Sequence, residues 1–201
     1  YMELFDAIYQ RRAIKAFDPE HTISAEDEAK LFQAAIQAPT SFNIQHWRFV
    51  VVRDKALRQE LRKLGNDQAQ ITDASLLVIM TADTKAWQKN PQRYWAQAPK
   101  EVADLLVGWM GPFHDGRDWL QRDEAQRSIG MAMQTLMLAA KGIGLDSCPM
   151  IGFDIEAVAQ RIKLPADHVI GPMVAIGKGT KAPWPKPGQL TLEEVLVYNT
   201  F

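Results

Sequence analysis

Ala38-Pro39-Thr40-Ser41-Phe42-Asn43-Ile44-Gln45-His46-Trp47-Arg48-Phe49-Val50-Val51-Val52 runs from a polar, turn-rich loop straight into aromatic and β-branched residues. It reads as a helix end, a loop and then a buried strand. Pro39 closes the helical pattern before it, and Thr40, Ser41, Asn43 and Gln45 then offer hydroxyl and amide groups of both hydrogen-bonding polarities. Such a loop suits a flat, heteroatom-rich ligand; the same residues are also ordinary turn formers leading into a core strand. Trp47 to Val52, apolar on both faces, predicts a central position in a sheet.

Outward from this stretch, helical and strand periods alternate. Leu4, Phe5 and Ile8 share one face of a helix over residues 3 to 12. Ser24, with Asp27 three residues on, opens a helix carrying Leu31, Phe32 and Ala35, and Asp54 caps one carrying Leu57, Leu61 and Leu64. A second apolar strand spans Leu76 to Met80. Asp123 to Lys141 is a long helix ended by Gly142 and Gly144, and its Gly130, Met131, Ala132 and Met133 permit close helix approach, at a dimer centre or within one chain. Ile155 to Ile162 predicts a short helix, Val169 to Ile176 a strand broken at Gly171-Pro172, and Leu192 to Val197 an edge strand, available to a partner's sheet.

Between Asp83 and Leu120 periodicity is poor while Trp87, Tyr94, Trp95, Trp109, Phe113, His114 and Trp119 accumulate. Aromatic clusters serve core or interface more often than a substrate cage, so no catalytic residue is assigned there, and His114 beside Asp115 reads as surface loop. The pattern predicts an α+β chain, helices around a mixed sheet. Its 201 residues form one domain, 1–201, with a variable region at 83–120 and an extended, proline-rich arm at 181–201.

Composition excludes several classes. With 47% hydrophobic residues the chain can bury a sizeable core, and a formal charge of -1 argues against bulk attraction to nucleic acid or anionic membrane. No apolar run is long enough for a membrane span, and no signal-peptide pattern opens the sequence. The single cysteine, Cys148, rules out an internal disulfide and reads as a structural thiol; a reducing cytoplasm is the expected compartment. There is no metal-ligand spacing, no nucleophile elbow and no GxGxxG for a stably held dinucleotide.

Two further segments carry chemistry. Arg11-Arg12-Ala13-Ile14-Lys15 places three cations within five residues, either a solvated basic end complementing a helix dipole or a phosphate fork with a separate cation. Pro149-Met150-Ile151-Gly152 follows the long helix, and Gly152, lacking Cβ, would let main chain approach a ring. In this order and spacing the three segments resemble the nitroreductase family of FMN-dependent oxidoreductases. The resemblance covers nearly the whole chain and is weakest between about residues 83 and 120.

That resemblance implies a three-layer fold, an intertwined homodimer and two FMN sites at the subunit interface. It places Arg11 on the phosphate, Arg12 and Ala13 along the cofactor, and Lys15 at the N1/C2-carbonyl side, where an ammonium favours the reduced ring. It adds Pro39, Thr40, Ser41 and Asn43 from the loop, and Pro149 to Gly152 across the flavin face near N5. Many relatives carry Glu where Ile151 stands. Polar residues before the second strand meet the pyrimidine, with Gln70 best aligned and Gln68 or Asp67 nearby. Lys186 is the first candidate for a further phosphate ligand, with Lys178 and Lys181 in reserve. The implied reaction is ping-pong: visiting NAD(P)H gives hydride to flavin N5 and leaves, and a nitroaromatic, quinone or similar small oxidant takes the electrons. No acid-base side chain is required. Two other readings stand beside it: a flavin-binding module without turnover, motivated by Ile151, and a nucleic-acid binder using the three cations, against which the balanced charge counts.

Overall fold

Every residue of Leu76–Asp83 (β2) is buried, which only the middle of a sheet covered on both faces allows. The computed structural model describes residues 1–201. β2 pairs on one side with Trp47–Val51 (β1) and on the other with His168–Gly177 (β4), which pairs in turn with Asp146–Met150 (β3), giving the order β1-β2-β4-β3. All three pairings are antiparallel, and the mixed character expected of the sheet is confined to an isolated parallel bridge between Ala13 and Ser147.

The period of two along β2 and β4 sorts side chains into two cores. Leu76, Val78, Met80, Ala82, Val174 and Ile176 face Ala25–Ala35 (α2) and Asp118–Gly142 (α6), whose Leu31, Ala35, Ile129, Ala132, Leu136 and Ala140 complete that layer. Leu77, Ile79, Met173, Ala175 and Cys148 face the other way. There they meet Leu61 of Lys55–Leu64 (α3), Ile71 of Gln70–Asp73 (α4) and Val158 of Ile155–Arg161 (α7). The result is three layers with the sheet between.

β1 departs from expectation. It is an edge strand, partnered only by β2, and Arg48 is exposed. Its two-sided apolarity has another cause: Phe49 packs on Phe32 of α2, Trp47 Nε1 donates to Ser128 O of α6 at 3.0 Å, and Val50 and Val52 serve the opposite core. Burial of both faces does not require neighbours on both edges. β4 is continuous where a break was expected. Gly171 and Pro172 together oppose Met80, a bulge that accommodates the missing proline N–H, and a Cβ on Gly171 would lie 2.8 Å from Ile129 of α6.

The caps follow the sequence. Ser24 Oγ accepts from Asp27 N at 3.0 Å, Asp54 Oδ1 from Leu57 N at 2.7 Å, and Gly144 at φ 84° closes α6. Asp54→Ala should therefore cost about 1 kcal/mol of stability, read as a lowered midpoint in urea; an unchanged midpoint would remove that role. At the end of the chain the expected edge strand is instead a short helix, Leu192–Val195 (α8). Thr191 and Glu194 bond each other's backbone N–H there, and that local pairing outweighs the β-propensity of Val195 and Val197.

In the region of poor periodicity lie turns at Ala86–Gln88 and Pro91–Trp95 and a helix, Lys100–His114 (α5). Gly108, Gly111 and Pro112 within α5 mask its helical signal. No helix is long and apolar enough to cross a membrane.

Candidate functional site

Helix α1, Leu4–Gln10, stops before the cations, so Arg11, Arg12 and Lys15 stand on an extended segment beyond its last turn. Buried Ile14 and Phe17 pin that segment to the core. Ile14 N donates to Ser147 O of β3 at 3.0 Å, while Asp18 N donates to Lys178 O and Thr180 N to Ala16 O, both at 2.9 Å. The segment thus threads between β3 and the chain leaving β4, with Arg12, Ala13 and Lys15 turned toward the arm. Arg12 Nη2 donates to Trp184 O at 2.6 Å, and Lys15 Nζ lies 5.4 Å from the centre of the Trp184 ring. Between segment and arm is a cavity of about 320 Å³ lined by Arg12, Lys15, Lys181 and Trp184 among others.

None of Arg11, Arg12, Lys15, Lys178, Lys181 or Lys186 forms an ion pair; the chain's salt bridges lie elsewhere. Asp146, the nearby carboxylate, is taken up by Lys141 at 3.3 Å and the backbone N of Gly179 at 3.2 Å. Cations without carboxylates, beside a cavity, make a donor set suited to a phosphoryl group.

The Pro149 to Gly152 segment leaves β3 on the same edge of the sheet. Met150 is buried and its side chain belongs to the core, Pro149 is half-buried, and Ile151 is 58% exposed, so main chain, part of Pro149 and Ile151 are available to a ligand. A Cβ on Gly152 would meet the amides of Asn66 and Gln68 no closer than 3.7 Å, an ordinary contact, so no protein neighbour requires glycine there. The same two amides donate to Gly152 O, at 2.9 and 3.1 Å. Gln68 is thereby fixed beside the segment. Gln70 is buried in α4 with Nε2 toward Cys148 Sγ at 3.6 Å. Asp67 pairs with Arg62 at 2.7 Å.

The loop holding Pro39, Thr40, Ser41 and Asn43 lies apart from all of these. It precedes β1, whereas the cations flank the outer side of β3, and β2 and β4 stand between. Three steps of about 4.8 Å put β1 and β3 roughly 14 Å apart. Phe42, Asn43 and Gln45 all have φ between 53° and 56°, a costly conformation for residues with side chains. It is held by neighbours: Trp95 Nε1 donates to Phe42 O at 2.9 Å, Asn43 Nδ2 to Tyr94 O at 2.8 Å, Gln45 N to Thr40 Oγ1 at 3.0 Å, and the Phe42 ring packs on Phe113 and His114. Sequence reading missed these supports; their signal was the accumulation of aromatics after Asp83.

His114 is the plainest correction. It is fully buried, not on a surface loop, with Nδ1 2.8 Å from Met110 O and its ring stacked on Trp87. Burial pushes its pKa down. His46 is buried as well, its Nδ1–H donating to Ser128 Oγ at 2.9 Å while that hydroxyl donates to Glu124 O at 2.8 Å. Burial first, and then His114, lower its pKa to about 4. A trio invisible to spacing, Asp83, Asp167 and His168, gathers in space, but Lys89 Nζ already bridges the two carboxylates at 2.8 and 2.6 Å.

A three-layer α+β chain with such a cradle of cations on one sheet edge and a strained polar loop on the other has the build of a nitroreductase. The profile of that family, the Nitroreductase family, matches residues 8–178, and the chain belongs to it. The protein DrgA of Synechocystis sp. is 61% identical over 200 residues, covering 97% of this chain and 95% of that one. MhqN of Bacillus subtilis, provisionally named an NAD(P)H nitroreductase, is 31% identical over 182 residues, 88% of each chain. A provisionally named nitroreductase of Exiguobacterium sibiricum, solved in complex with FMN, superposes with a TM-score of 0.90 at 24% identity, covering 99% of this chain and 98% of that one.

Proposed function

We propose that this chain is an FMN-dependent oxidoreductase that works as a homodimer with two sites, passing hydride from NAD(P)H to nitroaromatic, quinone or similar small oxidants in ping-pong fashion. The observation that carries the reading is the set of cations free of ion pairs, of which Arg12, Lys15 and Lys181 line one cavity beside β3, with Arg11 and Lys186 next to lining residues in the chain. The FMN present in the Exiguobacterium structure and the nicotinamide dependence in the name of MhqN lend it support.

FMN, when bound, supplies the hydride chemistry at N5. The chain's residues do the rest. Arg11 and Lys186 hold the phosphate, Arg12 and Ala13 flank the ribityl chain, and Lys15 sets a positive charge where the reduced ring gains a negative one, which raises the reduction potential. Gln68 fixes the Gly152 carbonyl and leaves Pro149 to Gly152 as a rigid main-chain edge. Pro39, Thr40, Ser41 and Asn43 sit on the opposite edge of the same sheet, so one chain does not complete the site, and the second copy's loop supplies them. Exposed Leu4, Phe5, Ile8, Trp109 and Met131, with the apolar residues of the arm, provide a surface for that second copy.

Purified protein should take up FMN, turn yellow, and bleach with NADH or NADPH. A flavin that bleaches with neither donor would overturn the enzymatic reading and leave the flavin-binding module; failure to take up FMN would overturn both.

A further inference from the structure

Residues 40–45 contribute to neither of the two main cores. Ile44, fully buried, belongs instead to a third apolar cluster with Trp87 and Met110, against which Phe42, Tyr94 and Trp95 pack. Apart from Phe42 and Ile44, these residues come from the excursion between β2 and α6. Gln121 clasps the neck of that excursion, its Nε2 donating to His114 O at 2.8 Å and its Oε1 accepting from Lys85 Nζ. Loop and excursion are therefore one packing unit beside the sheet.

Within that unit a single peptide is held at both ends. Phe42 O accepts from Trp95 Nε1 at 2.9 Å, and Asn43 N, at the other end of the same peptide, donates to Thr40 O at 3.1 Å. Phe42 at φ 53° and Asn43 at φ 54° lie in the left-handed region, which is costly for residues with a Cβ. Turning the peptide over would return Asn43 to ordinary extended backbone, so something must oppose the turn. From outside the loop two bonds do so: that of Trp95, and Asn43 Nδ2 donating to Tyr94 O at 2.8 Å. The second uses the donor side of the Asn43 amide and leaves Oδ1, an acceptor, for a ligand.

We propose that Trp95 is a positioning residue of the cofactor site: its indole N–H holds the Phe42–Asn43 peptide in its strained orientation and thereby keeps Asn43 Oδ1 presented. The inference rests on the FMN reading above, in which Asn43 meets the cofactor. Trp95 acts through the loop and not on the flavin itself, so its contribution exists only while Asn43 is there to be presented.

Trp95→Phe removes the N–H and keeps an aromatic ring in the cluster. In the apoprotein of this variant the backbone amide of Asn43 should exchange its hydrogen about ten-fold faster, with β2 amides and melting temperature as in the native protein. Titration followed by flavin fluorescence should show FMN and riboflavin, which lacks the phosphate, weakened alike by about five-fold, the size of one lost hydrogen bond. Asn43→Ala should weaken FMN as well, and adding Trp95→Phe to it should cost less than about two-fold more. Fully additive effects, a loss confined to FMN, unchanged affinity for both flavins, or a melting temperature lowered by many degrees with faster exchange in β2 overturns the inference. A native chain that takes up no FMN overturns the functional reading and this inference with it; native binding with an indifferent Trp95→Phe overturns this inference alone.

Discussion

Arg11→Ala should raise the dissociation constant for FMN ten- to a hundred-fold while leaving the fold intact. A charge-assisted bond to phosphate is worth roughly 1.5 to 3 kcal/mol, and each 1.4 kcal/mol is about a factor of ten. Arg11 makes no ion pair and caps α1 through its backbone N–H, which alanine retains, so the loss should appear in binding and not in stability. Fluorescence titration of apoprotein reads the first quantity and thermal melting the second. An unchanged FMN affinity removes Arg11 from the phosphate, and a fall in melting temperature of many degrees would make its role structural.

Acid should destabilise the protein over a defined window. His46 is held neutral in the fold with its pKa at about 4, against 6.5 in the unfolded chain, so between those values the unfolded state binds more protons and stability falls with pH. The contribution is complete above about 6.5 and lost as pH drops to about 4. A shift of that size corresponds to roughly 3 kcal/mol. His114, lowered by burial too, acts in the same direction. Urea unfolding at a series of pH values measures the slope, and His46→Gln, which keeps a donor for Ser128, should flatten it. A slope identical in native and variant protein would show that His46 is not its source.

Helix starts were the most legible feature of the sequence, because Ser24 and Asp54 act on N–H groups three residues away and nothing distant intervenes. The apolar runs of β2 and β4 were legible for a similar reason. Strand order was not. Trp47 to Val52 looks two-sided whether a strand or nothing lies beyond its edge, since the covering comes from α2, α6 and the second core. Thr191-x-x-Glu194 was a readable cap that β-branched neighbours obscured. In the candidate site, the cations and the Pro149 to Gly152 stretch were visible as composition, and their adjacency rests on hydrogen bonds between residues more than a hundred positions apart. Gln70 read as the best-aligned amide for the pyrimidine, and its burial against Cys148 depends on how α4 packs. His46 carried no signal at all beyond its place next to a tryptophan.

The separation of the polar loop and the cationic cradle on opposite margins of one sheet has a genetic corollary. In the proposed homodimer, two polypeptides, one defective in its loop and the other in its cradle, would each be inert alone. Paired, they would rebuild one whole pocket from the two sound halves and leave the other doubly broken, so the two lesions should complement one another in a mixed assembly even though they fall in the same gene.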